Sequence, residues 1–498
     1  MAKLMIHLLA CLFWFACSPK AALDDFAKPE LVTVAGRVVN PVPDSKRIAL
    51  AINRLGLGQE EIESEIDIEG KFRFQFETYT PTDIWLTYQT NLLFVVHPGD
   101  SMSVELDGSM SDRQELLETI KFSGDRATTN HQIAAFQKAY YGRNRNWQKE
   151  DYAIKNYGPE DFKAYADTIR SEEINLYNDF LKAHSPNDEA AKWALFFVYR
   201  NHFVKMTRYP NSHRIALVLK ESEWNVPISY YNYVKTTKPM SGSLVSADAI
   251  FGITNVYLYR YLGRIVNETL ISLGETNSEY IKDSIFLQTI AEYTSDPQFR
   301  EIATTQYLND KLSGLKLDAY ERNLDFIQAN IKKPYLIEPL RRRYSELNRK
   351  VNELPIPENA RIKNINDTSN TFISKVISDN KGRIIYVDIW ATWCGPCLEQ
   401  FPYSQKLQNE LTDVSFVYLC IESERTAFHN TIKRFQLEGQ HYFLSKTQSK
   451  AIKKELNIDG IPHYLLIDRN GKVVNSNFEL HPSSDKTKKE IEKLLIQF

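Results

Sequence analysis

From Leu31 to Gly108 the chain runs in short stretches of alternating apolar and polar residues, each closed by turn residues such as Pro98-Gly99-Asp100 and Asp107-Gly108. Strands are predicted at Leu31–Val34, Arg47–Ile52, Ile68–Phe76 across Glu69-Gly70, Asp83–Tyr88, Leu93–Val96 and Ser103–Leu106, a pattern that fits a small β-sandwich-like domain over about residues 27–125. From Asn130 to Val351 the period lengthens to that of helices, with apolar residues such as Ile133, Phe136 and Tyr140, or Leu258, Tyr261 and Ile265, three and four apart. This predicts an all-α middle domain over 126–354, whose many tyrosines and phenylalanines read as core. Leu354-Pro355-Ile356-Pro357-Glu358-Asn359 has the prolines of a linker.

Beyond it, strand and helix alternate. Strands are predicted at Arg383–Trp390, Val414–Ile421, Tyr442–Leu444, Tyr464–Asp468 and Lys472–Val474, the last two paired across Asn470-Gly471. Helices are expected from Pro396 to Leu411, near Ala427–Leu437, at Ser449–Leu456 and from Ser484 onward. The result is an α/β domain with an antiparallel edge over 355–498, so the 498-residue chain is multidomain.

Charge narrows the partners. The 61 basic and 63 acidic residues are mixed along the chain and leave a net −2, so no basic footprint for nucleic acid exists. The N-terminus carries Met1-Ala2-Lys3 and then the apolar run Leu4–Ala16, a charged start and short hydrophobic region that read as an export signal and are short for a membrane span. Ala16-Cys17-Ser18 resembles the end of a bacterial lipoprotein signal, which implies a leader over 1–17, a lipidated Cys17 and a membrane anchor at that end. Leu8-Leu9-Ala10-Cys11 is the rival cleavage site, and an ordinary cleaved signal or an uncleaved anchor stays open. Each version exports the protein to the periplasm or cell envelope.

Setting the leader aside leaves three of five cysteines, too few for a disulfide framework. Two of them close the run Tyr386-Val387-Asp388-Ile389-Trp390-Ala391-Thr392-Trp393-Cys394-Gly395-Pro396-Cys397, at the junction of an apolar strand and a helix. A two-residue spacing there allows a readily opened disulfide, and so a dithiol/disulfide site. At the exposed start of the helix, free N–H groups and the helix dipole favour Cys394 as the attacking thiolate, with the more shielded Cys397 as the resolving thiol. Half of a zinc site is the alternative, but only Cys420 and scattered histidines could complete it, so no metal and no cofactor is expected.

The Trp-Cys-Gly-Pro-Cys pentapeptide after a strand resembles the thioredoxin-fold domain of TlpA/ResA-like thiol-disulfide oxidoreductases, over about Pro355 to Phe498. The resemblance implies that Asp388, six residues before Cys394, is a buried acid exchanging a proton with the second cysteine, and that Gly460-Ile461-Pro462 holds a cis-proline opposite the cysteines. Trp393, Gly395, Pro396, Ile461 and Pro462 would then form the substrate-binding surface. Pro402 fits the kink this family places in its active-site helix, whereas Leu398-Glu399-Gln400-Phe401 departs from the acid many relatives carry after the second cysteine. Cys420 is a third redox thiol or a small buried hydrophobe, and His463 touches substrate or simply packs. The region before residue 125, ending in Lys121-Phe122-Ser123-Gly124-Asp125, resembles the N-terminal domain that precedes many exported thioredoxin-like proteins.

The expected activity is therefore thiol-disulfide exchange on disulfide-bearing exported proteins, fed by a membrane or periplasmic thiol electron donor. Gly-Pro between the cysteines resembles reducing thioredoxins, which implies net reduction or isomerisation. The competing expectation is an envelope client-binding or assembly protein whose redox pair only senses state. Peroxide reduction would need a Pro-x-x-x-Thr/Ser-x-x-Cys setting that the chain lacks before Cys394.

Overall fold

The computed structural model describes residues 26–43, 45–143, 145–219, 223–233, 247–274, 279–363 and 372–496. Cys11 and Cys17 lie outside the described residues.

Eight strands open the described chain: β1 (Glu30–Val39), β2 (Arg47–Arg54), β3 (Gly58–Glu65), β4 (Lys71–Thr78), β5 (Thr82–Thr87), β6 (Asn91–Val96), β7 (Ser101–Asp107) and β8 (Lys121–Gly124). They form two four-stranded sheets, β4-β1-β7-β8 and β3-β2-β5-β6. β4 shows why: Phe72, Phe74 and Phe76 point inward while Lys71, Arg73, Gln75 and Glu77 point to water. These phenylalanines join Val32 and Val34 of one sheet and Ile48, Leu50, Ile84 and Phe94 of the other in a single core. The predicted strand Ile68–Phe76 begins later, at Lys71, because the Asp67 carboxylate accepts the N–H groups of Glu69 at 2.9 Å and Lys71 at 2.7 Å and folds the chain into a turn. β3, β8 and the helix Arg113–Thr119 were not among the predicted elements; β3 reads Gly-Gln-Glu-Glu-Ile-Glu-Ser-Glu and lies at a sheet edge with no apolar stripe to announce it.

Long helices follow, among them Ala127–Gly142, Pro159–His184, Asp188–Ala216, Pro297–Ser313 and Pro334–Glu353. Their core is aromatic, as the spacing predicts: Phe162 stacks on Tyr209 at 4.0 Å and Phe286 on Tyr307 at 4.3 Å. The first helix is locked to β6 by the Asn130 side chain, which both accepts from Val95 N and donates to Val95 O at 2.9 Å.

The C-terminal sheet contains β9 (Ala360–Lys363), β10 (Ile384–Trp390), β11 (Val414–Cys420), β12 (Gly439–Phe443), β13 (His463–Ile467) and β14 (Val473–Asn477) in the order β14-β13-β10-β11-β12-β9. β9 through β12 run parallel, and β13 and β14 add an antiparallel edge. All seven residues of β10 and all seven of β11 are buried, since helices cover both faces. Helices Gly395–Glu410, Arg425–Phe435 and Asp485–Ile496 pack on the face of Tyr386 and Trp390; Phe372–Asp379 and Lys446–Glu455 pack on the face of Val387 and Ile389.

Candidate active site

β10 carries the candidate chemistry to the edge of the sheet and stops there. After Trp390 the chain turns through Ala391–Trp393 into the helix Gly395–Glu410, with Cys394 as its N-cap and Pro396 in its first turn, where a missing N–H costs nothing. Cys394 and Cys397 are joined in a disulfide, their Cα atoms 5.3 Å apart. The Cys397 N–H donates to Cys394 Sγ at 3.2 Å, so the helix N-terminus is directed at that sulfur.

The exposure expected of Cys394 needs correction. In the disulfide form it is 4% exposed and Cys397 is fully buried, and both pack in the cluster that contains Trp390, Phe401 and Phe428. The open rim of the site is formed instead by Trp393, which is 56% exposed, and by Gly395 and Pro396. Trp393 is held from behind by its indole N–H on the Glu422 carbonyl at 2.8 Å, and Thr392 N–H by Ser423 Oγ at 2.9 Å.

Asp388 sits in the middle of β10, on the same face as Tyr386 and Trp390, and is buried. Its direct cross-strand neighbours are Tyr418 on β11 and Tyr464 on β13. Neither carboxylate oxygen has a hydrogen-bond partner among the described residues, and burial pushes the carboxyl well above the usual carboxylate range.

The Ile461-Pro462 bond is cis. Next along the chain, His463 pairs with Ile389 at the end of β10, and Ile461 packs against the cluster containing both cysteines. The topology thus brings Trp393, Gly395, Pro396, Ile461 and Pro462 to one end of the sheet, around the disulfide. Cys420 pairs with Trp390 in register but is buried, and burial pushes its thiol up to about 12, which leaves it a packing residue. His463 contacts Ser476 Oγ through Nε2 at 2.9 Å, and partial burial lowers its pKa. Pro402 lies inside the active-site helix, and Glu399 is exposed on it.

Sequence reasoning did not single out Tyr386, Tyr418 and Tyr464, which surround Asp388. Their alternation with apolar residues was visible, but only the strand register shows that they converge. Among the described residues, no group of three or more His, Cys, Asp or Glu side chains could hold a metal ion, and no helix is long and apolar enough to cross a membrane.

Residues 357–495 match the Redoxin family model. The C-terminal region is a redoxin domain. Over 121 residues the chain is 25% identical to the thiol-disulfide oxidoreductase ResA of Bacillus thuringiensis subsp. konkukian, covering 24% of this chain and 65% of that protein. ResA of Bacillus subtilis is 28% identical over 100 residues, 20% of this chain and 54% of the relative. The chain therefore spans less than two thirds of the length of these relatives, and the match lies within the redoxin domain. The solved thioredoxin domain of a thiol-disulfide oxidoreductase from Bacteroides vulgatus is 26% identical, covering 24% of this chain and 82% of that one, with a TM-score of 0.22.

Proposed function

We propose that the protein is a thiol-disulfide oxidoreductase that reduces or isomerises disulfides of exported proteins through Cys394 and Cys397. The observation that carries this reading is the Cys394–Cys397 disulfide at the N-terminus of a helix, just after the strand that holds the buried Asp388, whose carboxylate has no hydrogen-bond partner among the described residues. The names of the relatives support the same chemistry.

In the reducing direction, the Cys394 thiolate attacks one sulfur of a client disulfide. A Cys394–client bond forms, the client S–S bond breaks, and the second client sulfur leaves as a thiolate that takes a proton from solvent. The Cys397 thiol gives its proton to the Asp388 carboxylate and attacks Cys394 Sγ. This releases the other client sulfur, which is protonated in turn, and leaves the protein as the disulfide seen here. Two electrons pass to the client, and a dithiol donor must restore the pair. A carboxyl with its pKa raised by burial is a better proton acceptor for a thiol than an ordinary aspartate, which favours proton exchange between them. Trp393, Gly395, Pro396, Ile461 and Pro462 form the surface on which an extended client segment lies.

Export through the leader at 1–17, lipidation at Cys17 and action in the periplasm or cell envelope belong to the same proposal; they are supported by the charged, apolar N-terminus and Ala16-Cys17-Ser18. The test is reduction of insulin disulfides by the dithiothreitol-coupled protein. Cys394→Ser is expected to abolish it, and Cys397→Ser to accumulate mixed disulfides with envelope proteins. Full activity in Cys394→Ser would refute the reading.

A further inference from the structure

Asp388 poses a problem that the exchange mechanism leaves open. Once it takes the proton of Cys397 its carboxyl is neutral, but before that step it must exist as a buried anion, and an ionised carboxylate without hydrogen bonds is strongly disfavoured. No cation faces it. β11 contributes Tyr418, β13 contributes Tyr464, its own strand Tyr386 and Trp390, and the covering helix Cys397, Phe401 and Ser404. The anion therefore depends on a neutral donor.

Most of the donors are already committed. Tyr386 donates its hydroxyl hydrogen to Leu480 O. Tyr418 is tied to Ser404 Oγ at 2.8 Å, and its ring is stacked on His441 at 4.9 Å. His441 has Nε2 on Leu437 O at 3.1 Å and is kept neutral by burial, its pKa pushed down to about 4. The Trp390 indole N–H has no partner among the described residues, but it stands two residues along the same strand and its ring is held between Phe401 and Phe428. Tyr464 is different. It is fully buried, it lies directly across from Asp388 in the β10/β13 ladder, its ring stacks on Tyr386 at 5.8 Å, and its hydroxyl has no partner among the described residues. Directly paired residues on one sheet face lie about 4.5–5.5 Å apart at Cβ. A single water between this phenol and this carboxyl, on directly paired residues, would satisfy both.

We propose that Tyr464 is a positioning residue for the resolving step: its hydroxyl donates, through one shared water, to the Asp388 carboxylate and holds it in the ionised form that accepts the Cys397 proton. The proposal rests on the thiol-disulfide exchange reading and assigns a role to a residue outside the cysteine motif.

The two steps can be separated in a stopped-flow reaction of the reduced, full-length protein with dithiobis(nitrobenzoate). The first nitrothiobenzoate is released by attack of Cys394, the second by attack of Cys397 on the mixed disulfide. For Tyr464→Phe, the second phase is expected to slow about tenfold at neutral pH, the scale of one lost hydrogen bond to a charged group. Its acid limb should move to higher pH, and the first phase should be unchanged. Difluorotyrosine at position 464, a stronger donor of the same shape, is expected to move the limb the other way. In an Asp388→Asn background Tyr464→Phe should add nothing. The proposal is overturned if Tyr464→Phe leaves the second-phase limb in place, slows both phases alike, or is matched by Tyr418→Phe. Failure of the underlying reading looks different: a second release that persists in Cys397→Ser, or a first release that persists in Cys394→Ser.

Discussion

At the scale of single residues, the site is organised around a carboxyl that the fold buries at a cost. A carboxyl whose folded pKa lies above its unfolded value keeps a proton in the folded state that the unfolded chain has lost, so stability declines as pH rises from about 4 toward the folded pKa. Asp388→Asn removes that dependence. The melting temperature of Asp388→Asn should therefore gain on that of the unsubstituted protein between pH 4 and pH 8, by about 2–4 °C for each kcal/mol of linkage. Equal gaps at both pH values would mean that Asp388 ionises freely in the fold. The disulfide pair was legible in the sequence because two residues of spacing after an apolar strand fix its place, and Asp388 and Pro462 were singled out by the family resemblance. Two things were not legible. Cys394 is buried in the disulfide form, and Tyr464 acquires its meaning only through register with a residue 76 positions away.

Among the elements, most legible strands were buried on one or both faces; β14, which has no buried residue, followed from the Asn470-Gly471 turn. β10 and β11 read as apolar runs broken only by Asp388 and Ser415, and β4 as strict alternation. Short elements were missed: β9 is four residues long and follows the proline-bearing linker, and the helix Phe372–Asp379 is only eight residues. β12 also begins earlier than its apolar residues suggest, at Gly439. That glycine has φ +99°, and a Cβ there would come within 2.8 Å of Phe416 O on β11. Its alternation signal is absent because the backbone, not a side chain, makes the contact. Gly439→Ala is expected to cost about 1–3 kcal/mol, for strain in a backbone region L-residues avoid. A urea midpoint unchanged by the substitution would contradict the close approach of β12 to β11.

Across the whole molecule, the helical region is joined to the redoxin domain at the segment that backs the active-site loop. Lys316 pairs with Glu424 and Asn430 Nδ2 donates to Leu315 O at 3.1 Å, while Gln436 Nε2 holds the linker by donating to Pro355 O at 3.0 Å. Glu422 and Ser423, which hold Trp393 and Thr392, immediately precede Glu424. The pair is partly exposed, so its coupling should be modest, about 0.5–1 kcal/mol. Lys316→Glu and Glu424→Lys should each raise protease sensitivity at Leu354–Asn359, and the double exchange should restore resistance. The N-terminal sheets are fixed to the helices in the same way, with Asn309 Nδ2 donating to Leu57 O at 2.9 Å and the buried Asp83 accepting from Asp248 N at 3.0 Å. The central claim is that Cys394 and Cys397 form a two-electron couple poised for reduction. It is tested most directly by the equilibrium reduction potential of the purified protein, titrated against glutathione or dithiothreitol. A single two-electron transition at or below about −220 mV, toward the thioredoxin end of the range, is expected; a midpoint above about −150 mV would make the protein a disulfide donor and contradict the assigned direction.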